Sequence, residues 1–275
     1  MSALDGTSAR AAARAREIIG EFGISEPSQI DVEAIAFARG ALVLERPLRG
    51  ASARLIRRGR RGVIAVREDI REPGQKRFGV AHELGHFELH KKVDQLAVCT
   101  EQMLSWYRSQ PEEMEANDFA AELLMPAELF RPRCRSGEPH SEAIGHLAEA
   151  FRTSLTATLV RYVDLGIRVG ALIVSYQGKV RWFRSGPDFP FRVLSPGSPL
   201  SRDSCAGAFF AGETMSMQPE TVPALAWFDD GRADPSWTLR ELTIPLPRYD
   251  TTLSLVMIEP GSAPDRFGAD EEEDL

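Results

Sequence analysis

Cysteine is scarce in this chain. Cys99, Cys134 and Cys205 are the only three, odd in number, far apart and without a CxxC pair. That argues against a disulfide framework and suits reduced thiols in a cytoplasm. No stretch approaches the roughly 18 apolar residues needed to cross a bilayer. The opening MSALDGTSARAAARAREIIG has arginines but neither the continuous apolar core nor the cleavage-like site of a secretory leader. The expected location is the cytoplasm, with no membrane partner. A positive charge balance is missing too: the formal charge is −7, which gives no global pull toward nucleic acid or anionic lipid. There is no internal repeat, and histidine is rare, five in 275 residues.

What is there is ordinary globular material. Hydrophobic residues make up 43% and charged residues 27%, over a length that suffices for one large domain or two to three small ones. One local exception is basic: nine arginines lie between Arg46 and Arg71, including the run Arg57-Arg58-Gly59-Arg60-Arg61. Such a run reads either as a solvated hairpin tip or as a positive rim that steers an acidic partner.

Periodicity divides the chain. Apolar positions at helical spacing (Ala11, Ala15, Ile18, Ile19, Phe22) predict a helix over 8–22, and Asp31 and Gly40 bracket a second one as N-cap and terminator. ALVLE, ASARLIRR and GVIAVRED then read as three short strands, the last two joined across GRRG. Helical spacing resumes near Gly74, runs through the histidines, and returns from Pro111 to Phe130. SEAIGHLAEAF and SLTATLVRYVDLG form a helix pair with Ser154 as an N-cap and Leu147, Phe151, Leu155, Leu159 and Val163 as its core. Beyond Gly166 the composition shifts: VGALIVSYQGKVRWF reads as a hairpin, TLRELTIPL and TTLSLVMIE as later strands. The closing ADEEEDL reads as a disordered acidic tail.

The chemistry concentrates in RFGVAHELGHFELH, residues 77–90. On an α-helix, residues four apart lie about 40° apart on one face, so His82 and His86 can offer two imidazole nitrogens to one ion. Glu83, beside the first histidine, is placed as the general base of the H-E-x-x-H pattern. Zn²⁺ suits imidazole plus carboxylate donors, with Mn²⁺ as the alternative. A pattern with glycine at 89 and histidine at 92 is excluded, since those positions hold Leu89 and Lys92. His90 lies a further turn along the axis, too far for comfortable ligation with both other histidines, and reads as a non-ligand near the helix end. A carboxylate from PEEMEANDFAAELLMP is the better third donor. Helical spacing groups Glu113 with Ala116, Asn117, Ala120 and Leu124, whose alanines permit close approach of two helices; Glu113 ranks first, Glu112 second and Glu115 third. Asn117 suits either holding a ligand in orientation or an interhelical hydrogen bond. Tyr107, between the two motifs, is a candidate transition-state donor as well as an ordinary structural tyrosine. The GVIAV strand offers an edge on which an extended substrate could add.

The chain resembles the ImmA/IrrE family of metallopeptidases. The resemblance rests on HELGHFELH and on E-x-x-A-N-x-F-A-x-x-L-L-M-P, present here from Glu113 through Asn117 and Phe119 to Pro126. It implies Glu113 as the third ligand. The further layout resembles one branch, the IrrE (PprI) radiation-response regulators of the deinococci. An α+β architecture is therefore expected: a zincin-like metallopeptidase domain over 1–135, a helix-turn-helix-like segment over 136–167, a GAF-like α/β domain over 168–262 and the acidic tail over 263–275. The implied activity is that of a zinc-dependent site-specific endopeptidase that cuts an XRE-type helix-turn-helix repressor and induces DNA-damage and radiation-response genes. The alternative is a non-catalytic regulator that binds DNA or senses a ligand. Direct DNA binding is not expected to be primary, because SLTATLVRYVDL carries Arg161 as its one basic residue. Oligomeric state is not legible in the residues.

Overall fold

The computed structural model describes residues 3–90, 111–134, 137–189, 191, 193–228 and 236–258. Tyr107, Cys99 and the acidic tail lie outside the described residues. The fold is α+β, and the chain divides into two compact units: Met1–Arg135 with His146–Ala157, and Ser136–Gly145 with Thr158–Leu275.

In the first unit, α1 (Ala3–Glu21) is followed by α2 (Val32–Ala38). Asp31 caps α2 by accepting hydrogen bonds from the backbone N–H of Glu33 and Ala34, and Gly40 leaves the helix at φ +95°. Strands β1 (Ala41–Arg46), β2 (Ala53–Arg58) and β3 (Arg61–Arg67) form one sheet in the order β1-β3-β2. The β2–β3 turn is only two residues, opened by Gly59 at φ +60°. Since β1 runs parallel and β2 antiparallel to β3, the GVIAV strand is central. The expected substrate edge on that strand is therefore overturned: both its hydrogen-bonding sides are taken, and β1 and β2 are the edges of the described sheet.

Register puts Ala53 and Leu55 of β2 with Ile64 and Val66 of β3 on one face, where they join the core made by Ala81, Leu84, Phe87, Phe119 and Leu123. That core seats α3 (Pro73–Leu89) and α4 (Pro111–Leu124). The helix expected to run from Pro111 to Phe130 is broken in two. Pro126 disfavours helical geometry at Met125 and cannot donate, so α4 stops and α5 (Ala127–Arg133) starts afresh with Pro126 as its N-cap. Of the expected hairpin-tip arginines, Arg57 is partly buried. Its guanidinium stacks 4.5 Å from the Phe87 ring centroid and donates to Phe87 O at 2.7 Å and His90 O at 3.3 Å, closing the C-terminus of α3. Glu88, on the same turn, joins Arg14 of α1 to Arg39 at the end of α2. Burial pushes its carboxyl up, but hydrogen bonds from both arginines outweigh this and hold it below the ordinary range.

Helices α6 (Ser141–Phe151) and α7 (Leu155–Asp164) are each shared between the two units. Ser154 caps α7, accepting from Ala157 N at 3.1 Å, and Leu147, Phe151, Leu159 and Val163 are buried. In the second unit β4 (Gly170–Tyr176), β5 (Lys179–Ser185), β6 (Glu220–Pro223), β7 (Thr238–Leu246) and β8 (Thr251–Met257) form an antiparallel sheet in the order β5-β4-β8-β7-β6. Its β4–β5 turn, Gln177-Gly178, has positive φ at both residues, as a two-residue hairpin turn requires. A short α8 (Cys205–Phe210) is tied to the sheet by one buried carboxylate. Glu241 accepts from Cys205 N and Ala206 N, both at 3.0 Å, from Trp227 Nε1 at 2.8 Å and from Thr243 Oγ at 2.7 Å. Removing that acceptor strands donors that have no water to turn to. Glu241→Leu is expected to cost about 3–5 kcal/mol, read as a fall in the denaturant midpoint of the second unit's transition.

Candidate metal centre

Helix α3 is not amphipathic. Every residue from Gly79 to Phe87 is buried, so its polar residues cannot be a solvated stripe. His82 and Glu83 are 0% exposed and His86 is 3%. Three polar side chains in a core are costly unless each finds a partner.

For the two histidines the partners come from α4. Gly85 makes the approach possible: a Cβ there would lie 3.1 Å from Ala116 Cα and 3.1 Å from the Phe119 ring. With Ala116 and Ala120 also fully buried, the two helices meet almost backbone to backbone. The face of α4 that carries those alanines also carries Glu113 and Asn117. Glu113 Oε2 lies 3.3 Å from His82 Nε2, Glu113 Oε1 lies 3.2 Å from His86 Nε2, and the two Nε2 atoms are 3.0 Å apart. Three donors bonded to one tetrahedral ion at about 2.0–2.1 Å stand about 3.3–3.4 Å from one another. The triangle has the size that an ion needs, and its two imidazoles and one carboxylate are the donor set that zinc accepts. The neighbouring imidazoles, His82 first and then His86, hold the Glu113 carboxyl well below the usual carboxylate range, against the opposing effect of burial.

The atoms behind the triangle matter as much. Asn117 Oδ1 lies 2.9 Å from His82 Nδ1. An amide oxygen only accepts, so His82 Nδ1 carries the proton and Nε2 is left bare toward the triangle. Asn117 is therefore an interhelical hydrogen bond and an orienting contact at once. Of the other sequence candidates, Glu112 is exposed on α4, away from the buried histidines. Glu115 instead meets His90, at 2.7 Å from its Nε2. That pair was not anticipated as a unit, although its signal was present: His90 repeats the four-residue spacing from His86.

Residues 36–162 match the model of a peptidase family described as the IrrE N-terminal-like domain. This segment is similar to that domain. The matched segment contains the whole triangle, whose donor set could hold a metal ion. Among solved structures, a Mycobacterium tuberculosis transcriptional regulator is similar in fold, with a TM-score of 0.55 and 14% identity over 90% of this chain and 76% of that one. No curated protein matches the sequence. Among the described residues no helix is long and apolar enough to cross a membrane.

The close contact at Gly85 gives a direct test of the packing. Gly85→Leu is expected to push α4 away from α3, lowering metal-free stability by about 1–3 kcal/mol in urea unfolding. It is also expected to weaken zinc binding, because Glu113 and Asn117 ride on the displaced helix.

Proposed function

We propose that this chain is a zinc-dependent, site-specific endopeptidase of the cytoplasm, and that His82, His86 and Glu113 hold its metal. The observation that carries the reading is the company of Glu83. A fully buried glutamate adjoins two histidines whose Nε2 atoms and a third-ligand carboxylate lie within a tetrahedral edge of one another. A structural zinc site has no use for that extra carboxylate; a hydrolytic one needs a base. When bound, zinc would supply Lewis-acid polarisation of the scissile carbonyl and acidify the attacking water, and manganese is the alternative ion. Glu83 takes the proton from that water and delivers it to the leaving amine. Asn117 keeps His82 in the ligating tautomer, and the α3–α4 contact keeps the three donors at fixed separation.

For the substrate we propose an XRE-type helix-turn-helix repressor, whose loss would switch on DNA-damage and radiation-response genes. Support comes from the resemblance of HELGHFELH and of the Glu113–Pro126 motif to the ImmA/IrrE peptidases, and from the match over residues 36–162. An extended segment of the repressor would add to β2, an edge of the sheet against which α3 packs. The helix pair α6–α7 is read as helix-turn-helix-like and the second unit as GAF-like, a place for a regulatory ligand. As the DNA-contacting element of a non-catalytic regulator, α7 is poorly equipped: Arg161 is 8% exposed, which leaves that helix without an exposed cation.

Neither of the two thiols described supports a redox trigger. Burial pushes Cys134 up to about 11, and burial with Glu241 and Glu220 alongside pushes Cys205 up to about 12, so neither is a thiolate at neutral pH.

The test pairs one substitution with the candidate repressor. Glu83→Gln is expected to bind zinc with wild-type stoichiometry and to lose cleavage by a factor of about 10²–10⁴, scored by mass spectrometry of the repressor fragments. Chelator is expected to abolish cleavage by the wild type. Undiminished cutting by the glutamine variant would sink the assignment. Sequence-specific DNA retardation indifferent to chelator, without any cleavage, would favour the regulator instead.

A further inference from the structure

His90 sits one turn beyond His86, as the residue that ends α3, with its side chain 9% exposed. Both of its ring nitrogens are committed. Nδ1 lies 3.0 Å from His86 Nδ1, and Nε2 lies 2.7 Å from Glu115 Oε2. Glu115 is itself 7% exposed, with Arg10 Nη1 at 3.7 Å from its second oxygen. The His90 ring does not float: Arg57 donates to the His90 and Phe87 carbonyl oxygens and fixes the backbone that carries it.

The proton positions follow from what each atom can do. A carboxylate only accepts, so His90 Nε2 carries a hydrogen and donates it to Glu115. In the neutral ring His90 Nδ1 is then bare and accepts. Its neighbour His86 Nδ1 must donate, which leaves His86 Nε2 bare and facing His82 and Glu113. Asn117 does the same for His82 from the other side of the site, through one amide oxygen. The two histidines of the triangle are therefore backed by two unrelated devices, one an amide and one a histidine–carboxylate couple. Both leave the same nitrogen free. His90 cannot meanwhile serve as a ligand beside His86, because it approaches the ring from the side opposite the triangle.

We propose that His90, backed by Glu115, is a positioning residue that holds His86 in its Nδ1–H tautomer and presents Nε2 to the ion. The role rests on reading His82, His86 and Glu113 as a metal centre. It gives His90 a function in a motif where spacing alone makes it an onlooker, and it gives Glu115 a use other than ligation. It also links the ion to α1, through Arg10, along a line that passes behind the site rather than through its open side.

The experiment measures zinc affinity of the full chain by competition with a chromophoric chelator, with circular dichroism as the control for folding. His90→Leu keeps an apolar body of similar size and removes the acceptor; its zinc dissociation constant is expected to rise about 10–100-fold. His90→Asn restores an acceptor oxygen near the Nδ1 position and is expected to recover to within a few-fold of wild type. Equal affinity for wild type and His90→Leu overturns the proposal, and so does a His90→Asn variant as weak as His90→Leu, which would mark a packing role. A second readout needs no variant. Ring nitrogen chemical shifts in the zinc-loaded wild type are expected to show His90 protonated at Nε2 and bare at Nδ1; the opposite tautomer overturns the assignment. A wild type that takes up no zinc refutes the metal centre and this role together. A wild type that binds zinc regardless of His90 refutes this role alone.

Discussion

Two helices touching at a glycine are the constraint on which this site depends. Gly85 sets the backbone of α3 against Ala116 of α4, and only at that separation can a short carboxylate on one helix reach two imidazoles on the other. A larger residue at the contact would carry Glu113 and Asn117 away from the buried His82 and His86. The same closeness brings Asn117 within hydrogen-bond range of His82 and Glu115 within range of His90. One packing contact thus sets four polar distances.

The energetic logic is that of a polar cluster in a core. Buried histidines and glutamates are expensive, and the chain accepts them at a place where nearly every neighbour is apolar: Val80, Ala81, Leu84, Phe119 and Ala120 surround the cluster. Such an arrangement pays its desolvation cost only if the groups are matched to one another or to an ion. The ion pairs of Glu88 with Arg14 and Arg39 and the Arg57 clasp on Phe87 and His90 hold the far end of α3, where that cluster would otherwise be free to shift.

Much of this was legible in the residues, for identifiable reasons. The Asp31-to-Gly40 helix, the two hairpins and the TLRELTIPL strand announce themselves by caps, glycine turns and strand patterning, all of which are local. The grouping of His82, His86 and Glu113 was legible because two separate helical periodicities each point one face at a partner. What sequence could not supply was the pairing order of strands: β3 is central because β1 joins it in parallel from outside the hairpin, a non-local choice. Pro126 was visible, yet the helix on both sides of it hid the break. Arg57 looked like one more surface charge in a basic run, since nothing in its neighbours signals Phe87. His90 and Glu115 were each weighed singly as ligands, which concealed that they serve one another.

The central claim is that these three side chains form the inner coordination shell of one zinc ion. X-ray absorption on the zinc-loaded chain tests it most directly. The account predicts one zinc per chain in a four-coordinate shell of nitrogen and oxygen at about 2.0–2.1 Å, with the outer-shell scattering of two imidazoles. Loss of one imidazole contribution in each of His82→Ala and His86→Ala completes the expected result. A shell containing sulfur, or six oxygens with no imidazole scattering, would contradict it.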